Sequence, residues 1–74
     1  MKFVIVDLNL NMMEAKKYYL GQAKFVRAAT LDGKLVQFPA RLIRNLIDHN
    51  GIEGLFKIFY TEDGKFVQIQ KILR

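Results

Sequence analysis

The 74-residue chain contains no cysteine, no serine and no tryptophan, and only one proline and one histidine. Each absence removes a class of chemistry. Without cysteine there is no disulfide, no thiolate metal site and no thiol nucleophile. Without serine there is no hydroxyl nucleophile of the Ser–His type, and one histidine cannot build a His-rich metal centre. No apolar run approaches the roughly 18 residues needed to span a bilayer. The opening MKFVIVD has four consecutive apolar residues broken by Asp7, with no small-residue cleavage site after them, which is not a secretory pattern. A cytoplasmic protein without cofactor, metal or membrane partner is expected.

Apolar residues, by contrast, are abundant. They make up 51% of the chain, with six Phe and three Tyr among them. A single domain of this size, residues 1–74, lies near the limit at which one core suffices. With disulfides and metals excluded, a second subunit is the remaining way to bury the surplus, so a homodimer is expected. Twelve Lys and Arg against seven Asp and Glu give a net charge of +5, which favours anionic partners, nucleic acid above all.

The local patterns place the elements. Residues 2–10 alternate as a strand, with Val4, Val6, Leu8 and Leu10 on the core face and Phe3, Ile5, Asp7 and Asn9 on the other. Asn11 and Glu14 have capping-box spacing for a helix whose inner face is Met12, Ala15 and Tyr19, and Gly21 ends it. Residues 22–31 form a second strand. A two-residue Asp32-Gly33 turn then pairs Leu31 with Lys34, Ala29 with Val36 and Arg27 with Phe38. That register puts Phe25, Arg27, Ala29, Leu31, Val36 and Phe38 on one face. Pro39 suits the first position of a second helix, with an apolar stripe of Leu42, Ile43, Leu46 and Ile47 and with Arg41, Arg44 and Asp48 opposite. Asn50-Gly51 stops it, and His49 suits its C-terminal dipole rather than a catalytic role.

The strands 55–60 and 65–73 form a second hairpin around Thr61–Gly64, with Phe59 opposite Phe66 and Ile58 opposite Val67. Phe56, Ile58, Val67 and Ile69 are then the core face. Leu55, Lys57, Phe59, Phe66, Gln68, Gln70 and Ile72 lie on the other. Joined to Phe3 and Ile5, that outer face gives the candidate dimer contact: Phe3, Ile5, Leu55, Phe59 and Phe66. The order is β-α-β-β-α-β-β with no linker or repeat, an α+β domain with a mainly antiparallel sheet or partly rolled barrel and two short helices. The carboxylates sit mostly where caps and turns need them, and no pair is placed for acid–base work; the expectation is not an enzyme.

Several pieces carry a resemblance: Tyr18-Tyr19-Leu20-Gly21, Asp32-Gly33-Lys34, Gln37-Phe38-Pro39-Ala40, Leu42 to Arg44, Gly51-Ile52-Glu53-Gly54 and Gly64-Lys65-Phe66. In order and spacing the chain resembles a family of small bacterial proteins, domain of unknown function 2835. Asn50 stands where an aspartate is usual before the glycine, and Lys34 where arginine is common. The resemblance implies a compact α+β homodimer and brings no activity. Residues 32–71 also resemble the rhythm of AbrB-type regulators, DNA-binding dimers with interlocked hairpins. That likeness implies phosphate contacts at Arg27, Lys34, Arg41 and Arg44. Two expectations result: a homodimeric structural or protein-interaction module without catalytic activity, or a nucleic-acid-binding protein using those four basic residues.

Overall fold

The computed structural model describes residues 1–73. Its strands are β1 (Lys2–Leu10), β2 (Phe25–Ala29), β3 (Leu35–Pro39), β4 (Ile52–Tyr60) and β5 (Phe66–Leu73), with one α-helix, α1 (Met12–Tyr19). β4 is the centre of an antiparallel sheet ordered β1-β4-β5, and β2-β3 form a second antiparallel ribbon. The two meet where Val6 bridges Thr30 and the Leu31 amide donates to the Ile5 carbonyl at 3.1 Å. The sheets do not close into a barrel. Between them lies one core containing Val6, Leu8, Ala15, Val26, Phe38, Ile43, Phe56 and Ile58.

β1 follows its alternation: Val6 and Leu8 are buried, and Val4 and Leu10 pack against the core. At its end the Glu14 amide donates to Asn11 Oδ1 at 2.9 Å and the Asn11 amide to Glu14 Oε1 at 3.1 Å, a complete capping box. α1 ends with the Gln22 amide on the Lys17 carbonyl and the Gly21 amide on the Tyr18 carbonyl, the paired bonds of a Schellman motif. Ala15 is the wholly buried contact point, flanked by Met12 and Tyr18, whereas Tyr19 is half exposed. Tyr18, not Tyr19, thus completes the inner face.

Both hairpins depart from the expected register for one reason. The first turn is a three-residue loop, Leu31-Asp32-Gly33. The Gly33 amide donates to the Thr30 carbonyl, the Thr30 amide to the Lys34 carbonyl, and the Lys34 amide to Thr30 Oγ1 at 3.0 Å. This is a type I turn closed by a glycine with positive φ. The pairs become Val26 with Phe38, Arg27 with Gln37 and Ala28 with Val36. A slip of one residue turns one strand over relative to its partner, so the even positions of β2, not the odd ones, share the Phe38 face. Val26, Ala28 and Phe38 therefore go inside, while Phe25, Arg27, Leu31 and Leu35 go out.

The second turn repeats the first bond for bond, Thr61-Glu62-Asp63-Gly64-Lys65 standing for Thr30-Leu31-Asp32-Gly33-Lys34. Here Tyr60 pairs with Phe66 and Phe59 with Gln68, across an irregularity between Phe59 and Tyr60. Phe66 is consequently on the core side, edge-on to Phe38 at 6.4 Å and tilted against Tyr60 at 5.6 Å. Val67, expected inside, is exposed.

The second helical segment is two short 3-10 turns, Ala40–Leu42 and Arg44–Leu46, rather than a continuous α-helix. Pro39 ends β3 and precedes the first turn. Ala40, Ile43 and Ile47 are buried, and Leu46 is exposed. The chain turns extended at Ile47, so exposed His49 lies in the tight Asp48–Gly51 turn and caps no helix.

Candidate anion-binding cleft

The open end of the β2-β3 ribbon positions the site. Phe25 is paired with Pro39 there, and the Ala40 amide donates to the Lys24 carbonyl at 2.8 Å. That bond ties the first 3-10 turn to the residue preceding β2. With about three residues per 3-10 turn, positions three apart eclipse, so Arg41 and Arg44 project to the same side. Lys24, Phe25, Pro39, Arg41 and Arg44 line a cleft of about 390 Å³.

Arg44 is held in place. Its Nε donates to the Tyr18 carbonyl at 3.3 Å, at the C-terminal end of α1, where a cation also offsets the helix dipole. One of five guanidinium donors is used this way, and the terminal nitrogens remain for another acceptor. Arg41 and Lys24 are exposed. No carboxylate lines the cleft, and the one ion pair among the described residues joins Lys2 to Glu62, elsewhere. A concavity lined by charge of one sign concentrates counter-ions. Beside the cations, Phe25 is 57% exposed.

The four expected nucleic-acid contacts are thus divided. Arg41 and Arg44 come together. Arg27 lies on the outer face of the ribbon opposite Gln37 and lines a different cleft with Asp7 and Tyr18. Lys34 sits in the first hairpin turn beside Asp32, whose carboxyl is held below its ordinary value chiefly by the Thr30 hydroxyl and also by the Lys34 charge. Lys24 and Phe25 complete the site without having been expected in it. The two-residue turn puts Phe25 on the same face as Phe38, and the Thr-x-Asp-Gly-Lys repeat is the signal that places it on the other.

The expected dimer face is divided as well. Phe3, Ile5, Leu55 and Phe59 share the outer face of the β1-β4-β5 sheet through the register Phe3–Phe59, Ile5–Lys57 and Asp7–Leu55. The Phe3 and Phe59 rings are 6.2 Å apart, and Lys57 Nζ lies 4.3 Å from the Phe3 ring centroid. Phe66 is on the opposite side of the sheet.

Residues 2–72, from β1 into β5, match the family model described as Protein of unknown function (DUF2835). The chain belongs to that family. No curated protein and no solved structure matches it. The DUF2835 match spans the cleft and the open sheet face alike, and its description assigns an activity to neither. Among the described residues of this DUF2835 chain, no group of three or more His, Asp or Glu is placed to hold a metal ion, and no helix is long and apolar enough to cross a membrane.

Proposed function

We propose that the chain is a non-catalytic binding module for phosphate-bearing polyanions, with nucleic acid as the ligand class and the Lys24–Phe25–Arg41–Arg44 cleft as its site. The observation that carries this reading is a cleft lined by three cations and no carboxylate. Phosphate oxygens accept from Arg in a planar, two-pronged geometry that a carbonyl-anchored guanidinium such as Arg44 offers with little further ordering. Exposed Lys24 adds a further point charge to the lining.

The test is a titration of a labelled oligonucleotide at a series of salt concentrations. Each phosphate neutralised contributes about −0.7 to the slope of log affinity against log salt for a single strand, so three contacts give roughly −2. Arg41→Ala and Lys24→Ala are each expected to flatten the slope by about 0.7. Arg44→Ala is expected to do the same and also to lower thermal stability, because the Tyr18 carbonyl loses a donor. Absence of binding at low salt refutes the reading.

A second reading has its own observation. The outer sheet face carries Phe3, Ile5, Leu55 and Phe59 in one patch, and the accessible surface of 5145 Å² exceeds the roughly 4700 Å² expected for a folded monomer of this mass. Self-association through that face covers the excess, making the protein a homodimeric interaction module. The cleft lies outside the patch, so the two readings are compatible.

A further inference from the structure

Resting on the polyanion reading, we infer that the cleft takes a single-stranded nucleic acid rather than a duplex, with a base stacked on Phe25 while its backbone phosphates lie against Arg41, Arg44 and Lys24. Phe25 is the basis of the assignment. It is an aromatic residue 57% exposed at the end of a ribbon, its partner across the ladder is Pro39, and no aromatic or cation–aromatic contact among the described residues involves its ring. An apolar ring left uncovered within a cationic cleft matches a ligand that carries a flat apolar face next to an anion. A nucleotide with an unstacked base is that ligand.

Size and shape argue the same way. About 390 Å³ is at the lower end of the range for ligand pockets, roughly 300–1000 Å³, which suits one nucleotide unit. Duplex DNA is read by a helix or a two-stranded ribbon entering its major groove. A concave site offers no such projection, and the paired bases of a duplex keep their faces inside the stack, out of reach of Phe25. A single strand has both groups free. Two further cations, Lys16 and Lys17, stand in the last turn of α1 just before the residue whose carbonyl Arg44 binds, available to neighbouring phosphates.

Three oligomers of equal length separate stacking from charge: a pyrimidine single strand, the corresponding duplex, and an abasic strand that keeps the phosphates and lacks the bases. The intact single strand is expected to bind about tenfold or more tighter than the abasic one, in line with measured base–aromatic stacking. Phe25→Ala is expected to bring the intact strand down to the abasic level with the salt slope unchanged. Phe25→Trp introduces the only tryptophan of the chain, and its fluorescence is expected to be quenched by the intact strand and not by the abasic one. Equal affinity for intact and abasic strands, with Phe25→Ala neutral, overturns the stacking assignment and leaves the polyanion cleft standing. Tighter binding to the duplex overturns it likewise. Binding to vesicles rich in anionic lipid with none to any oligomer overturns both, in favour of a lipid headgroup.

Discussion

Gly51 stands where three parts of the chain converge. Its φ is +97°, and a Cβ built there lies 2.0 Å from the Leu10 carbonyl oxygen and 2.6 Å from the carbonyl carbon of Asn11. Those atoms are backbone, at the junction of β1 with the capping box of α1, and cannot swing aside as a side chain does. Gly51→Ala therefore combines a left-handed conformation that L-residues resist with an overlap relieved only by separating β4 from the start of α1. The two together cost about 3 kcal/mol or more, against a total stability of roughly 4–11 kcal/mol for a chain this long. The expected result is a large drop in urea midpoint, with loss of the folded signal at elevated temperature. A midpoint within experimental error of the wild type contradicts the close approach. The sequence marks Gly51 only as the stop of a helix. The contact with Leu10 and Asn11, which makes the residue irreplaceable, spans some forty positions and has no local signature.

At the scale of elements, the two Thr-x-Asp-Gly-Lys turns decide which side chains face the core. In each, the threonine hydroxyl donates to the aspartate and accepts from the lysine amide. This puts Asp-Gly at the third and fourth positions of a type I turn, instead of the centre of a two-residue loop in the first hairpin and the end of a four-residue loop in the second. The alternation of residues 2–10, the Asn11–Glu14 box and the Gly21 stop were legible because each is decided within a few residues. The hairpin registers were not, because an Asp-Gly pair is compatible with both turns and the choice rests on the threonine two positions before the aspartate. One misplaced residue put Phe25 on the Phe38 face and Phe66 on the outer sheet face, and so hid Phe25 from the cleft and misplaced part of the sheet face. The helical segment expected after Pro39 is present, but as 3-10 turns, for a related reason: a short segment with buried positions at Ala40 and Ile43 fits a 3-10 turn as well as an α-helix.

The first of these turns also carries a pH signature. The Asp32 carboxyl lies below its ordinary value of 3.8, chiefly through the bond from Thr30 and secondarily through Lys34. The folded chain binds that proton less tightly than the unfolded one, so between the two values the unfolded state holds more protons and stability rises with pH. The contribution is complete above the ordinary carboxylate value and disappears as pH falls through the folded one. Asp32→Asn is accordingly expected to lower the urea midpoint near neutrality, with the two midpoints converging as the pH falls through the lowered value of the folded carboxyl. A separation that stays constant across that range assigns the effect to something other than this carboxylate.

For the whole molecule, the outstanding surface is the outer face of the β1-β4-β5 sheet. Its centre is not purely apolar. Lys57 lies over the Phe3 ring, with Asp7 two residues beyond its β1 partner Ile5, and Glu53 four residues before it on β4. In a two-fold arrangement each patch meets itself, so each Lys57 finds the partner's Asp7 or Glu53 if the strands cross in opposite senses. The widest extent of the molecule, 33 by 23 Å, falls slightly short of the roughly 800 Å² per partner of a standard interface. Self-association through this face, as proposed above, is therefore expected to depend on concentration. Light scattering after size exclusion is expected to give a mass rising from one chain towards two as concentration increases. Phe59→Ser is expected to hold the mass at one chain with the fold intact, and Lys57→Glu to do so through repulsion between like charges. Phe66→Ser is expected to behave differently: it removes the ring packed on Phe38 and Tyr60 and lowers stability, by about 2–4 kcal/mol on the scale of core truncations. A wild type that stays at the mass of one chain up to millimolar concentration excludes the dimer. A Phe59→Ser variant that still doubles its mass places the contact on another face, of which the exposed edge strand β5 is the first to examine.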